Sequence, residues 1–152
     1  SDAISFIGTA NSTGNNPTSG NFSLHASAAA GDVAIFWWYA RDNSKTFVCT
    51  APCGITEKRD ASSSGYGHIN IGYRVLQSGD TTFAWTSSSN TNATTIWGTS
   101  VFRGVQTIGD PIEAESGAPA LSTSTSSPDP PAVTTVGDNA WVVPIFGKNN
   151  DR

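Results

Sequence analysis

The stretch His68–Trp85, HINIGYRVLQSGDTTFAW, reads as strand, turn and strand, and its reading decides the fold class. Ile69, Ile71, Tyr73 and Val75 fall on one face, and His68, Asn70, Gly72, Arg74 and Leu76 on the other. That period of two assigns the branched and aromatic row to the interior. Gln77-Ser78-Gly79-Asp80 interrupts the run with turn chemistry: Gly79 tolerates positive φ, and Asp80 can bond its own following backbone. Thr82–Trp85 returns as a second strand. A hairpin with one apolar face needs another layer to cover it, and the remaining apolar runs supply candidates.

Val33–Ala40, VAIFWWYA, is short and β-rich and reads as a central strand buried on both faces. Thr94–Phe102, TTIWGTSVF, is another strong strand, with Gly98 a bulge or close-packing position. Ile4–Ile7 opens the chain as a strand, a loop follows over Gly8–Gly20, and Asn21–His25 alternates again. Phe47–Cys49 and Gly54–Thr56 flank a proline turn. Glu57–Asp60 reads as charged and solvent-facing, Ala61–Gly67 as a small-residue loop and Ser87–Asn92 as a polar turn. Pro111–Glu115 is expected as a short edge strand and Ser116–Pro131 as an extended loop. Ala132–Val136 and Ala140–Phe146 are expected to close the chain as a hairpin about Gly137-Asp138. No long run keeps a 3.6-residue period with caps. The fold class is therefore all-β, a single antiparallel β-sandwich over residues 1–152, jelly-roll or Ig-like, with about eight to ten short strands.

Composition narrows the function classes. The chain has 152 residues and a formal charge of −4, and only 13% of its residues are charged. Lys and Arg are scattered singly, so no basic stripe exists to follow a phosphate backbone, and nucleic acid is excluded as a partner. Val33–Ala40 is the longest apolar run and is too short to insert through a bilayer. Five Trp and seven Phe supply bulky core material. The sequence shows no G-x-S-x-G elbow, Walker loop, zinc-helix motif or dinucleotide fingerprint, so the reading is a non-enzymatic protein without cofactor or metal.

Several residues carry specific expectations. Cys49 and Cys53, in CTAPC, leave three readings open: a disulfide across the turn at Ala51-Pro52, two free thiols, or a metal site. The last is opposed by the lack of further ligands beyond the unpaired His25 and His68. Both histidines read as surface or interface residues, and Glu113 and Glu115 as an exposed acidic edge. Gly-Asp occurs four times, at residues 31, 79, 109 and 137, and reads as tight turns at sheet ends. Sequons at Asn11, Asn21 and Asn92 matter only on a eukaryotic secretory route. Trp37 and Trp38 are adjacent, so one faces each way; one packs the core while the other meets a second layer, a sugar or a neighbouring subunit. Trp85, Trp97 and Trp141 read as core residues. The candidate binding residues are Trp37, Trp38, Tyr39, Arg41, Tyr66 and His68.

Taken in order, GYRVLQSGDTTFAW, TTIWGTSVFRGV and AWVVPIFG resemble a family of small β-rich proteins encoded among virion genes of tailed bacteriophages. Further matching pieces are Ile4-Ser5-Phe6-Ile7-Gly8, the Gly-Asp and apolar strand of Gly31–Tyr39, and Pro52-Cys53-Gly54-Ile55-Thr56. Tyr73–Thr81 corresponds to a Y-R-V-x-x-x-G-D-T hairpin, and Phe102-Arg103-Gly104-Val105 to a Y/F-R-G-V ending. The resemblance covers most of the chain and carries over no catalytic residue. It implies a sandwich on the virion surface, either decorating the head or forming part of a tail tip or fibre. The implied partners are the major capsid protein or other virion proteins, with the protein as a homo-oligomer or lattice-bound, assembled in the host bacterial cytoplasm. In that family strand-forming sequence often follows the A-W-V-V strand, whereas this chain stops at Asp151-Arg152. The sandwich is accordingly expected to lack a final strand and to leave an edge for a neighbouring subunit. Head decoration is the reading adopted, since the chain is compact and has no coiled-coil stalk. The alternatives are a tail-tip or fibre receptor-binding domain with a host-surface glycan as ligand, or a secreted carbohydrate-binding module.

Overall fold

The structure, a computed structural model, describes residues 3–50, 53–88, 93–117 and 131–147. It contains the strands β1 (Ser5–Asn15), β2 (Ser19–Ser23), β3 (Val33–Ala40), β4 (Val48–Cys49), β5 (Thr56–Ser63), β6 (Gly67–Val75), β7 (Thr82–Thr86) and β8 (Thr94–Arg103). All pair antiparallel, in a five-stranded sheet of order β1-β8-β3-β6-β5 and a three-stranded sheet of order β2-β7-β4. First pairs with eighth, second with seventh and third with sixth, as in a long hairpin rolled up on itself, which is the jelly-roll form of the β-sandwich. The one departure is β5, which extends the free edge of β6 instead of lying beside β4.

The core lies between the sheets. Ala34, Phe36, Trp38 and Ala40 of β3 and Trp97 and Val101 of β8 face Phe22 of β2 and Phe83 and Trp85 of β7. Their rings meet edge to face: Phe36 with Phe22 at 5.3 Å and with Phe83 at 4.9 Å, and Trp85 with Trp97 at 4.9 Å. Aromatic strands make this core because each indole fills the roughly 10 Å between the layers from one side alone. Trp97 Nε1 donates to Asn21 O and Thr99 Oγ1 to Ser23 O, so β8 and β2 are also tied across the layers.

The hairpin of β6 and β7 forms as its sequence indicates, but β6 sits the other way round. Its inner row is His68, Asn70, Gly72 and Arg74, and the half-buried row Ile69, Ile71, Tyr73 and Val75 faces away from the three-stranded sheet. There it joins Val33, Ile35 and Tyr39 of β3 and Phe102 of β8, all buried, although no third sheet exists among the described residues. The cover is irregular chain. Residues 105–117 cross the β5–β6 side, where Lys58 binds Asp110 and Glu115 and Arg59 donates to Ser116 O. Residues 140–147 cross the β3–β8 side, from Trp141 against Phe102 (6.1 Å between rings) to Gly147 over the Tyr39 ring. Glu113 Oε1 accepts from Val136 N and Gly137 N and so joins the two straps.

Several expectations are corrected here. Pro111–Glu115 is not a strand, and Ala132–Val136 and Ala140–Phe146 form no hairpin. Trp141 is 52% exposed, on the strap and outside the core. The expected loop Gly8–Gly20 is mostly strand, because Thr and Asn alternate along β1 and pair with β8 over its full length. Glu57–Asp60 and part of Ala61–Gly67 belong to β5. Bulges occur at Phe6/Gly8 and Glu57/Arg59, and they turn Ile7 toward the core and Lys58 onto the Tyr73 ring. Gly98 is a close-packing site: a Cβ there would lie 2.5 Å from both Ala10 O and the Trp37 ring. Asn92 with its sequon, the Ala51-Pro52 turn, the end at Asp151-Arg152 and most of the expected Ser116–Pro131 loop lie outside the described residues.

The Gly-Asp pairs prove to be one device used three times. Gly31, Gly79 and Gly109 all take positive φ, and the following Asp reaches a cation: Asp32 to Arg103, Asp80 to Arg74, Asp110 to Lys58. A left-handed glycine turns the chain sharply enough for the next carboxylate to point back at a strand.

Candidate functional site

The sandwich opens on the side where β5–β6 approach β4–β7. Here the inward row of β6 is polar, and each long member is held by a carboxylate. His68 Nε2 meets Asp60 Oδ1, Asn70 Nδ2 donates to Glu57 Oε2 at 2.8 Å, and Arg74 donates from Nε and Nη2 to Asp80 at 2.7 and 3.0 Å. Hydrogen bonding to Arg74 holds the Asp80 carboxyl below its ordinary pKa, against the opposing effect of burial. The register makes this row possible, since Asp60 lies directly across from Asn70 and Glu57 across from Gly72.

Two shallow concavities flank the row. One, of about 270 Å³, is floored by Phe47 and Ile55, bordered by the edge of β4 at Val48, and rimmed by Glu57 and Asn70. The other, of about 300 Å³, lies beside Arg74, Asp80 and Phe83. Cys49 lines the first and Cys53 the second, and the two are bonded, so the disulfide forms the ridge between them. In this structure the cysteines are a disulfide, neither free thiols nor a metal site, and the bond ties the end of β4 to the chain that follows it. The apolar floor with an amide and a carboxylate on its rim suits a polyhydroxyl ligand, whose rings stack while their hydroxyls bond.

The six candidate binding residues do not converge on one site. Trp38 is fully buried, packed among Phe47, His68 and Trp85. His68, expected at the surface or at an interface, is buried on the inner face. Its Nδ1 meets Lys45 O as its Nε2 meets Asp60, so both nitrogens are occupied and the ring acts as a strut. Trp37 lies on the opposite face, half-buried, its Nε1 reaching Ser100 Oγ at 3.4 Å. Tyr39 and Tyr66 are brought together: the Tyr39 hydroxyl donates to Tyr66 O at 2.6 Å, and burial raises the pKa of that phenol. Arg41 is half-buried beyond β3, its backbone N–H donating to Thr94 O. His25 packs against Gly8 of β1, the edge strand opposite β5 and so away from this cleft.

Sequence reasoning missed Lys45, which follows an ordinary turn and carries no local signal. It is fully buried, its Nζ donating to Pro17 O at 2.8 Å, and desolvation lowers its pKa. It also missed the carboxylates along the cleft: Asp60 and Glu57 are placed by strand register, and Asp80 by the turn at Gly79. Among the described residues no group of three or more His, Cys, Asp or Glu side chains gathers as a metal site, and no helix is long and apolar enough to cross a membrane. The chain matches no protein-family model, and no curated protein or solved structure matches it.

Proposed function

We propose that this is a non-enzymatic surface protein of a tailed-phage virion, attached to the head as a decoration protein. The observation that carries the reading is the outer face of the three-stranded sheet. Ser19, Asn21 and Ser23 of β2, Thr82, Ala84 and Thr86 of β7 and Val48 of β4 are all exposed there, and none is charged. A flat, neutral face of hydroxyl, amide and small apolar groups suits many weak contacts repeated over a lattice, where copy number multiplies modest affinities. Low charge density elsewhere and the tying of Asp32, Asp80 and Asp110 to cations leave few unpaired charges on the rest of the surface. The order of the sequence motifs and the jelly-roll topology support the same reading by analogy.

The test is co-sedimentation with emptied heads of the phage that encodes the chain. Saturable binding by the wild type, weakened by Ala84→Glu at the centre of the neutral face, is the expected result. Folded protein that fails to bind heads, or Ala84→Glu that binds as well as wild type, would refute the reading.

One observation favours a carbohydrate-binding role instead, as a fibre domain or a secreted module: the two-part cleft beside Glu57 and Asn70. A glycan-array signal abolished by Glu57→Ala, with no binding to heads, would establish that role. Trp38→Ala is unsuitable for this purpose, because Trp38 holds the core.

A further inference from the structure

The irregular layer over the five-stranded sheet is apolar on both sides. Beneath it lie Tyr39, Tyr73 and Phe102; above it, the straps turn more apolar side chains to solvent. Trp141, Val142, Val143 and Phe146 are 37% to 59% exposed along one strap, and Phe6 and Ile96 on the same face are 53% and 38% exposed. Phe6 stacks on Phe102 at 5.4 Å and Phe102 on Trp141 at 6.1 Å, so strap and sheet edge form one continuous apolar surface. Ile108 and Val136, in the same layer, are 86% and 80% exposed.

We propose that this surface is where a second copy of the chain docks, strap against strap. Taking side chains at about 150–250 Å² when fully bare, the exposed fractions amount to roughly 800 Å² of apolar area. The continuous part, Phe6, Ile96, Trp141, Val142, Val143 and Phe146, supplies roughly 570 Å² of this, at the upper end of the largest patch of a typical monomer, about 300–600 Å². The whole layer's exposed apolar area equals what one partner contributes to a specific interface of standard size, about 800 Å². Charge favours a copy as the occupant. The chain carries −4, so most faces would repel their own kind. The patch itself, Phe6, Ile96 and residues 140–147, contains no charged side chain, and of the carboxylates beside it Asp110 and Glu115 pair with Lys58 and Glu115 also with Arg59. An uncharged apolar patch is complementary to itself, which a two-fold interface requires.

Sedimentation of the full chain over a concentration series tests this. The wild type should pass from monomer to dimer, and Val142→Glu should weaken dimerisation by about 100-fold, since it places an unpaired charge in a dry interface. Ile108→Glu, at the most exposed strap position, should also weaken it without disturbing packing within the monomer. Ala84→Glu, on the opposite sheet, should dimerise like wild type while losing head binding, which separates this inference from the functional one. Both cysteines are bonded, so Val142→Cys adds a lone thiol, and air oxidation should link two chains through it. A wild type that stays monomeric throughout, or a dimer that both glutamate variants leave intact, would overturn the inference.

Discussion

Replacing Asp32 with Asn tests whether the Gly-Asp device holds the sheet ends. Asp32 is 3% exposed; its Oδ1 accepts from Arg103 Nε at 2.8 Å, and its Oδ2 from Arg103 Nη2 at 2.8 Å and Ala29 N at 2.9 Å. A hydrogen bond to a charged group contributes about 1.5–3 kcal/mol net. The Arg103 side chain is 48% exposed, so its share is screened and the low end of the range applies. Asn keeps one acceptor and turns an amide N–H₂ toward the guanidinium, for an expected loss of about 1.5 kcal/mol near neutral pH. The pH dependence follows from the direction of the titration shift. Hydrogen bonding to Arg103 lowers the Asp32 pKa; burial opposes this, and the Ala29 N–H assists. The folded protein therefore holds this proton less readily than the unfolded chain. The stabilisation is full above the ordinary carboxylate value of about 3.9 and is lost as pH falls through the lower folded value. Urea unfolding followed by tryptophan fluorescence should show wild type and variant well separated at neutral pH and converging in strong acid. A separation below about 0.5 kcal/mol at neutral pH, or one unchanged in acid, would refute the reasoning.

Removing the disulfide with Cys49→Ser and Cys53→Ser should cost about 2 kcal/mol, the chain-entropy value for so short a loop. Reductant should lower the urea midpoint of wild type by the same amount and leave the double variant unchanged. Gly98→Val should destabilise by about 1–3 kcal/mol by driving a side chain into Ala10 O and the Trp37 ring, and altered near-ultraviolet circular dichroism would report the displaced indole. Trp85→Ala should cost about 3–5 kcal/mol in urea unfolding, since the ring contacts Trp38, Phe47 and Trp97 at the centre of the core.

Local chemistry made some of this protein legible in advance. The apolar runs Val33–Ala40 and Thr94–Phe102 are β3 and β8, and Gln77–Asp80 is the turn between β6 and β7. The candidate site was not legible in the same way. Trp38 and His68 belong to the inner face, Trp37 and Tyr39 to the outer, and the polar row along the cleft comes from three separate segments of chain. Val142 and Trp141 lie in a stretch as β-prone as any strand, yet they lie in a strap, because propensity describes a residue and pairing requires a partner edge.

The sequence by itself determined that the chain is all-β, where its strongest strands and turns lie, and that its charge is low. Each of these follows from side-chain period, turn residues and composition within a few residues of one another. Tertiary structure alone decided which face of β6 turns inward, which carboxylate meets which cation, that Cys49 and Cys53 bond, and that the C-terminal apolar residues cover a sheet instead of joining one. The reason is physical. Alternation marks two faces but does not say which is covered, and here both are: one by the second sheet, the other by irregular chain whose own apolar side chains remain exposed.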